Sequence, residues 1–453
     1  MNPRILVVGG LAAGPGAAVK AKRTNPAADV FLFEQGDHIS YGICEIPYYI
    51  GDTITDPTLL TILTPERMKK EKGVETFVRH YVEEIHPVQR MLVARDLDRG
   101  TVKEFPYDKL ILATGSHPRT MGIAGEEGRN VFKIKSLDEA FALKTFITTE
   151  SPRHAVVIGA GYVGLEMVDA LARQGIKTTL IHRGAEPMTR LEPACRSEIL
   201  GVLKRHGIDF IPNSSSVSFV FDQSTKVTAV RTSTGTIPCD LVITAIGVEP
   251  NSGIAGTAGI TRGEFRGIRT DERQATNVGS VYAAGDCCEV RNVVNRSWMY
   301  LPLATVASRQ ARVAGENAAG GSAVFKGAVR SLGVRIFDLQ VAQIGLTMAE
   351  AQQSGFDTAT EHVEANSRVS FFPGNKKIHL VAIIDRSSKS LLGANVFGED
   401  GVVQRANVLA MAIQQRMTVE QLSQIDLLYA PPFSPLWDPV LVLAHQLRKK
   451  GSS

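Results

Sequence analysis

One pattern is written twice in this chain, and it restricts the fold more than any other feature. Arg4-Ile5-Leu6-Val7-Val8-Gly9-Gly10 opens the sequence, and His154-Ala155-Val156-Val157-Ile158-Gly159-Ala160-Gly161 restates it. Each copy is an apolar, β-branched run that enters glycines and then an alanine-rich segment. Each is followed by a second apolar run, Val30-Phe31-Leu32-Phe33-Glu34 in the first and Lys177-Thr178-Thr179-Leu180-Ile181-His182 in the second. Runs of this kind around a helical stretch predict a strand–helix–strand unit with parallel strands. Two such units predict an α/β chain with two dinucleotide-binding domains.

The second copy, Gly159-x-Gly161-x-x-Gly164, is a complete glycine fingerprint. Its first glycine makes the tight turn, its second lets backbone approach a pyrophosphate, and its third lets the helix pack on the strand. The phosphates then sit at the helix N-terminus, where unbonded N–H groups and the dipole favour negative charge. The first copy, Gly9-Gly10-Leu11-Ala12-Ala13-Gly14, has Leu11 where the middle glycine belongs. Glu34 closes its second strand, where a carboxylate accepts from a ribose hydroxyl. The corresponding position of the second copy is His182, followed by Arg183. A carboxylate there would repel a 2′-phosphate, whereas histidine with arginine favours one, so NADPH is expected over NADH.

Leu110-Ile111-Leu112-Ala113-Thr114-Gly115 and Leu241-Val242-Ile243-Thr244-Ala245-Ile246-Gly247 echo each other, and each is expected to close one module. Val281-Tyr282-Ala283-Ala284-Gly285-Asp286 reads as a further buried strand entering a turn. From about residue 326 alternating runs such as His379-Leu380-Val381-Ala382-Ile383-Ile384 predict an antiparallel sheet with helices. The chain is long enough for about three domains. Its net charge of +4 gives no reason to expect a nucleic-acid partner. No apolar run is long enough to span a bilayer. The run Ile5–Val8 is too short for the apolar part of a signal peptide, so a cytoplasmic protein with no membrane partner is expected. The five cysteines are scattered, which supports neither a disulfide framework nor a zinc site, and no metal is expected.

Cys44 lies in Ser40-Tyr41-Gly42-Ile43-Cys44-Glu45-Ile46-Pro47-Tyr48-Tyr49. A redox pair spaced CxxxxC would put its second cysteine at Tyr49, so no intramolecular disulfide forms at this motif. A lone cysteine is usually a small buried hydrophobe. This one follows a strand–helix–strand unit at a glycine-flanked helix start, a place that favours thiolate.

Together these residues resemble the single-cysteine branch of the pyridine nucleotide–disulfide oxidoreductases. That branch includes coenzyme A disulfide reductases, NAD(P)H oxidases, NADH peroxidases and persulfide or polysulfide reductases. The resemblance runs over nearly the whole chain and takes in Leu301-Pro302-Leu303-Ala304 and Tyr429-Ala430-Pro431-Pro432-Phe433. It implies a glutathione-reductase-like fold with two Rossmann-like domains. Residues 1–115 and 248–325 would bind FAD, 116–247 would bind NAD(P)H, and 326–453 would form an α+β dimerisation domain. It also implies a homodimer with one FAD per subunit.

The resemblance assigns roles at matching positions. Cys44 is the redox nucleophile, and Tyr429 reaches the partner's active site to protonate a leaving thiolate. Gly9, Gly14, Glu34, Val82, Thr114 and Gly115 fall at FAD positions; Asp286 is the acid for the ribityl chain, and Ala304 opens a helix aimed at the flavin pyrimidine. Gly159, Gly161, Gly164, His182, Arg183 and Gly247 fall at nicotinamide-coenzyme positions, with Tyr162 as the gate and Glu166 in the nicotinamide pocket. Lys20, Arg23 and Lys72 match positions that meet the phosphates of coenzyme A, and Ser40 and Phe371 match other substrate positions.

Peroxidases and many oxidases of the branch carry a histidine in the first glycine loop, where this chain has Ala12. Ile43, Glu45 and Phe371 depart from the common Asn, small residue and Tyr, which bears on the thiol substrate more than on the chemistry; Glu45 would raise the pKa of Cys44 if it points inward and not if it faces solvent. The chain stops after the dimerisation domain, so the sulfurtransferase domain appended to some persulfide reductases is not expected. The function implied is NAD(P)H-dependent, FAD-dependent reduction of a small disulfide, persulfide or polysulfide through Cys44, with CoA disulfide favoured. An NAD(P)H oxidase, which shares nearly every motif, is the alternative. A flavin-bound redox sensor or electron carrier is a rival of another class, against which stands the lack of an iron–sulfur ligand set.

Overall fold

Parallel strands buried on both faces read as unbroken apolar runs, and the two repeated runs form the centres of two sheets. The computed structural model describes residues 2–223 and 225–450. Strand Arg4–Val8 lies between Asp29–Phe33 and Lys109–Leu112, with Glu75–Phe77 and Val281–Ala283 at the edges, all parallel. Strand His154–Ile158 repeats the arrangement between Lys177–Ile181 and Leu241–Thr244, with Asp209–Ile211 and Val131–Phe132 outside them. Helices Ala13–Thr24 and Tyr162–Arg173 make the first crossovers. Each module also carries an antiparallel three-stranded meander, spanning His80–His86 to Val102–Pro106 in one and Ser218–Phe221 to Gly235–Pro238 in the other.

The second module is inserted into the first. The chain leaves through Ser116–Pro118 and returns through Val248–Pro250, and these two crossings pair antiparallel. Asn251 fastens them: its amide Nδ2 donates to the Thr114 carbonyl at 2.9 Å, and its backbone N–H donates to the Gly115 carbonyl at 2.9 Å. The chain then rejoins the first sheet as Val281–Ala283. Helix Ala304–Ala318 packs against Ala13–Thr24 so closely that a Cβ on Gly315 would lie 2.2 Å from the Ala17 carbonyl oxygen. Only glycine permits that approach.

The remaining domain is a five-stranded antiparallel sheet in the order Ser331–Ile336, Leu339–Gly345, Leu391–Gly398, Lys377–Asp385, Thr358–Asn366. Helices Val402–Gln414 and Pro439–Lys450 pack on it. Its core includes Ile378, Leu380, Leu409 and Leu443, all without solvent exposure; burying each such side chain stabilises by about 1.5–3 kcal/mol. Among the described residues no helix is long and apolar enough to cross a membrane, and no group of three or more His, Cys, Asp or Glu could hold a metal ion.

Candidate functional site

The two glycine turns have one geometry. Gly9 and Gly159 adopt φ of +110° and +111°, and a Cβ on either would lie 2.1 or 2.3 Å from the carbonyl oxygen of Ala113 or Ala245. A Cβ on Gly14 or Gly164 would lie 1.7 or 1.8 Å from the carbonyl oxygen of Gly9 or Gly159. These four glycines are demanded by the protein's own packing. Gly161 differs, because a Cβ there would meet nothing within 4 Å. The missing side chain leaves open space above the turn, as close approach of a phosphate requires.

The helix starts point the same way. Helices Ala13–Thr24, Tyr162–Arg173 and Ala304–Ala318 begin after Ala12, Gly161 and Leu303, without a side-chain cap or an acidic residue in the first turn. By contrast, Thr64, Ser136, Thr347 and Thr418 each cap their helices with a side-chain oxygen. The uncapped starts keep N–H donors and positive dipole ends for an external anion. Gly285, at φ +87°, sets the Asp286 turn on the first of these helices, where a Cβ would come 2.8 Å from that of Ala13. Asp286 accepts from Ser116 Oγ at 2.9 Å and from Lys135 Nζ at 3.2 Å, so two donors already orient it. Gly115 and Gly247 both take positive φ just after their strands; Gly115 borders open space, and a Cβ on Gly247 would lie 3.8 Å from Arg119 Cδ. Val82 is buried in its meander, next to a register shift. The donors, the open space and the uncapped ends fit a dinucleotide on each module.

The ends of the second strands hold the turns in matching ways. Gly10 N–H donates to Glu34 Oε2 at 2.6 Å, and Gly36 N–H donates to Oε1 at 2.8 Å. In the other module Ala160 N–H donates to His182 Nδ1 at 3.3 Å. Burial and the neighbouring Arg183 charge lower the His182 pKa. With Nδ1 accepting, the imidazole is neutral at pH 7. This sharpens the sequence expectation: of that pair only Arg183 brings positive charge to a 2′-phosphate. Arg183 is exposed and makes no salt bridge among the described residues.

Cys44 is tied to the first glycine turn. Ser40, at φ +49°, donates its N–H to the Gly10 carbonyl at 2.8 Å, and Gly42 N–H donates to the Leu60 carbonyl at 2.8 Å. Cys44 itself is exposed on one side. The protein around its other sides withdraws enough water to raise the thiol pKa; the carboxylates of Glu45 and Glu166 raise it further, and Lys135 opposes them. This corrects the expectation that the helix start favours thiolate. The helix is only Ile46–Ile50, and the residue at its N-cap is Glu45, which repels a second negative charge.

The second module reaches the same place through helix Tyr162–Arg173. Tyr162 lies in the first turn and donates to Gln343 Oε1 at 3.4 Å; burial raises its pKa. Glu166 stands one turn further on, and burial followed by the Asp169 charge pushes its pKa up to about 7. It lines a cavity of about 80 Å³ with Tyr48, Asp169, Arg173 and Arg335, where the three domains meet. Glu166, Lys135 and Asp286 are close enough for their charges to act on Cys44.

The expected substrate residues are more scattered. Lys20 is paired with Glu316 at 2.7 Å and Lys72 with Glu71 at 3.7 Å, while Arg23 is exposed. Lys20 is thus held within the chain, which the sequence did not indicate. Phe371 is 86% and Tyr429 49% exposed, both on the C-terminal domain, where Phe433 and Trp437 are exposed too. Cys287 and Cys288 are buried with sulfurs 3.8 Å apart, and Cys287 Sγ lies against the Leu112 and Ala284 carbonyls, so they pack as core. Sequence reading missed Lys135, Ser116, Asn251 and Tyr48. Only the adjacency of Ser116 to Gly115 and of Tyr48 to the cysteine motif could have flagged two of them.

The chain matches the family model described as pyridine nucleotide-disulphide oxidoreductase over residues 3–311, and that family's dimerisation domain over residues 332–439. It is 32% identical over 449 residues to the NAD(P)H coenzyme A polysulfide/persulfide reductase of Pyrococcus horikoshii, covering 99% of each chain. It is 29% identical over 450 residues to the coenzyme A disulfide reductase of Staphylococcus aureus, covering 98% of this chain and 100% of that one. Among solved structures, a NAD-dependent persulfide reductase from A. fulgidus superposes with a TM-score of 0.95 at 32% identity, over 99% of this chain and 83% of that one. A water-forming NADH oxidase from Lactobacillus brevis bound to NADH superposes with a TM-score of 0.94 at 28% identity, over 100% of this chain and 99% of that one. Its engineered NADPH-bound variant, in which an aspartate is lost and two arginines are gained, also superposes with a TM-score of 0.94 at 28% identity, over 99% of each chain.

Proposed function

This chain belongs to the pyridine nucleotide-disulphide oxidoreductase family, and we propose that within it the protein uses NAD(P)H to reduce a small disulfide, persulfide or polysulfide, CoA disulfide foremost, through Cys44. The observation that carries this reading is one exposed thiol tethered to the first glycine turn and within electrostatic reach of Glu166 on the second module. The names of the Pyrococcus and Staphylococcus relatives support it.

FAD, when bound, supplies the two-electron relay between nicotinamide and sulfur. The chain's part is to hold and orient. The N-terminus of helix Ala13–Thr24, with Glu34 at the ribose and Asp286 beyond, would hold that group. The turn Gly159–Gly164 would hold the nicotinamide coenzyme, with Tyr162 as a movable cover. Cys44 thiolate attacks one sulfur of the substrate; the S–S bond breaks, and one thiol leaves as its thiolate with the Cys44 mixed disulfide left behind. Two electrons originating from NAD(P)H then cleave the mixed disulfide and free the second thiol. Tyr429 of a second protomer would donate the proton to the leaving sulfur. The net reaction takes one NAD(P)H, one proton and one disulfide to NAD(P)+ and two thiols.

NADPH is the coenzyme favoured, because Arg183 is exposed and, among the described residues, in no salt bridge. The gain of arginine and loss of aspartate in the engineered NADPH-bound oxidase agree with that logic. The likeness to a water-forming oxidase supports a second reading, oxygen reduction, which oxygen uptake measured against disulfide turnover separates. The test of the main reading is Cys44→Ser under anaerobic conditions. FAD content is expected to stay at one per subunit and CoA disulfide turnover to vanish. Retained turnover would refute the assignment.

A further inference from the structure

The residue after the nucleophile is a carboxylate, and the fold aims it at the nucleophile's own turn. Glu45 follows Cys44 directly and is exposed. Its side chain curls back over Gly42: Oε2 lies 2.3 Å from where a Cβ on Gly42 would stand. Gly42 and Glu45 therefore close one tight turn, with Cys44 between them in the chain. Of the charges that act on Cys44, Glu45 is the strongest. Among the described residues Glu45 has no salt bridge, so nothing in the chain neutralises it at the mouth of the site. Glu166 and Asp286 also bring negative charge to bear on the thiol, and Lys135 opposes them.

We propose that Glu45 is a specificity-determining residue: it rejects disulfides that carry negative charge near the sulfur and admits those whose sulfur-proximal part is neutral or cationic. The inference rests on the reading of Cys44 as the nucleophile toward disulfides. Like charges a few ångströms apart at a partly desolvated surface repel strongly, whereas charges more than a Debye length of about 8 Å away are screened. A coenzyme A half carries its phosphates at the far end of a long uncharged amide arm, so its sulfur end passes the carboxylate without penalty. A disulfide with a carboxylate one or two bonds from the sulfur does not. In the step concerned, Cys44 thiolate attacks the near sulfur, the S–S bond breaks and the distal half leaves as its thiolate. Glu45 takes no part in the bonds; it sets which partner can approach and how readily the thiolate forms.

The test compares kcat/KM for three disulfides, cystamine, bis(2-hydroxyethyl) disulfide and dithiodiglycolate, in the FAD-loaded wild-type protein, Glu45→Gln and Glu45→Asp. The wild type is expected to rank them cationic, neutral, anionic. Glu45→Gln is expected to raise the anionic-to-neutral ratio about tenfold, in keeping with removal of one close like charge. Glu45→Asp should keep the wild-type order. In wild type the discrimination should shrink as salt is raised, and in Glu45→Gln the salt dependence should be weaker. A second readout needs no disulfide: the pH at which Cys44 is half-alkylated by iodoacetamide should move down in Glu45→Gln. An unchanged substrate ratio in Glu45→Gln, with disulfides still turned over, overturns this proposal alone. No disulfide turnover by the wild type overturns the reading on which it rests.

Discussion

After its glycine turn the first module reads Ala12-Ala13-Gly14-Pro15-Gly16, and the second reads Tyr162-Val163-Gly164-Leu165-Glu166 at the same positions. From Ala13 to Gly16 the small residues of the first serve packing. A Cβ on Gly16 would touch that of Ala311 at 3.4 Å, and helix Ala304–Ala318 lies so near that Gly315 cannot carry a side chain. In the second, Tyr162 and Glu166 face other domains. Tyr162 reaches the strand Leu339–Gly345 of the C-terminal domain, and Glu166 lines the cavity where three domains meet. One turn geometry, set by the paired close contacts of Gly9 with Ala113 and Gly159 with Ala245, therefore supports two uses. In the first module the helix is a buried platform; in the second it is a bracket that presents working groups.

The largest effect should come from the shared plan. Gly9→Ala and Gly159→Ala each place a methyl group on a carbonyl oxygen at a positive φ. Each is expected to cost about 3 kcal/mol or more, at the top of the range for single substitutions. Thermal unfolding of both variants checks this, and a mild effect at either site would break the equivalence of the two turns.

The next effect separates the modules. Glu166 has its pKa raised to about 7 by burial, so the fold favours the protonated carboxyl. That contribution is present in full below the ordinary carboxylate range and is lost as pH rises through about 7. The loss is at most about 3 kcal/mol. Glu166→Gln should remove it, so that the variant gains stability relative to wild type between pH 5 and pH 8. Denaturant unfolding across that range checks the sign; parallel curves for the two proteins would refute it. Gly16, the counterpart in the first module, has no titrating group.

Coenzyme choice is a smaller difference. Arg183→Ala should lower the NADPH-to-NADH ratio of kcat/KM by about tenfold, the scale of one charge-assisted contact. His182→Glu, which copies Glu34 into the second module, should push the ratio further the same way. A ratio unmoved by both would place coenzyme recognition elsewhere. The smallest effect is expected at Gly161→Ala, which meets no protein atom within 4 Å. Stability should hold while the KM for the coenzyme rises a few-fold.

Much of this was legible in the sequence because local patterns carried it. Two apolar runs entering glycines announced two parallel sheets, and the alternation after residue 326 announced the antiparallel one. Cys44 stood out because Tyr49 occupies the place of a second cysteine. What was not legible depends on contacts between distant segments. Lys135 meets Asp286 only because the inserted module folds back on the first, and Lys20 is drawn to Glu316 by packing of two helices. The electrostatics of Cys44 were half legible for the same reason: the helix start suggested a favoured thiolate and an inward Glu45 the opposite, and the wall around the thiol with the curled Glu45 carboxylate gives the second sign.

The central claim is that the two modules converge on one thiol. Intact-mass analysis and peptide mapping of the FAD-loaded protein, after anaerobic exposure to CoA disulfide and then to NADPH, test it most directly. The account expects a single CoA adduct on Cys44 that NADPH removes without added thiol. An adduct on Cys195, Cys239, Cys287 or Cys288 instead, or a Cys44 adduct that NADPH leaves in place, would contradict it.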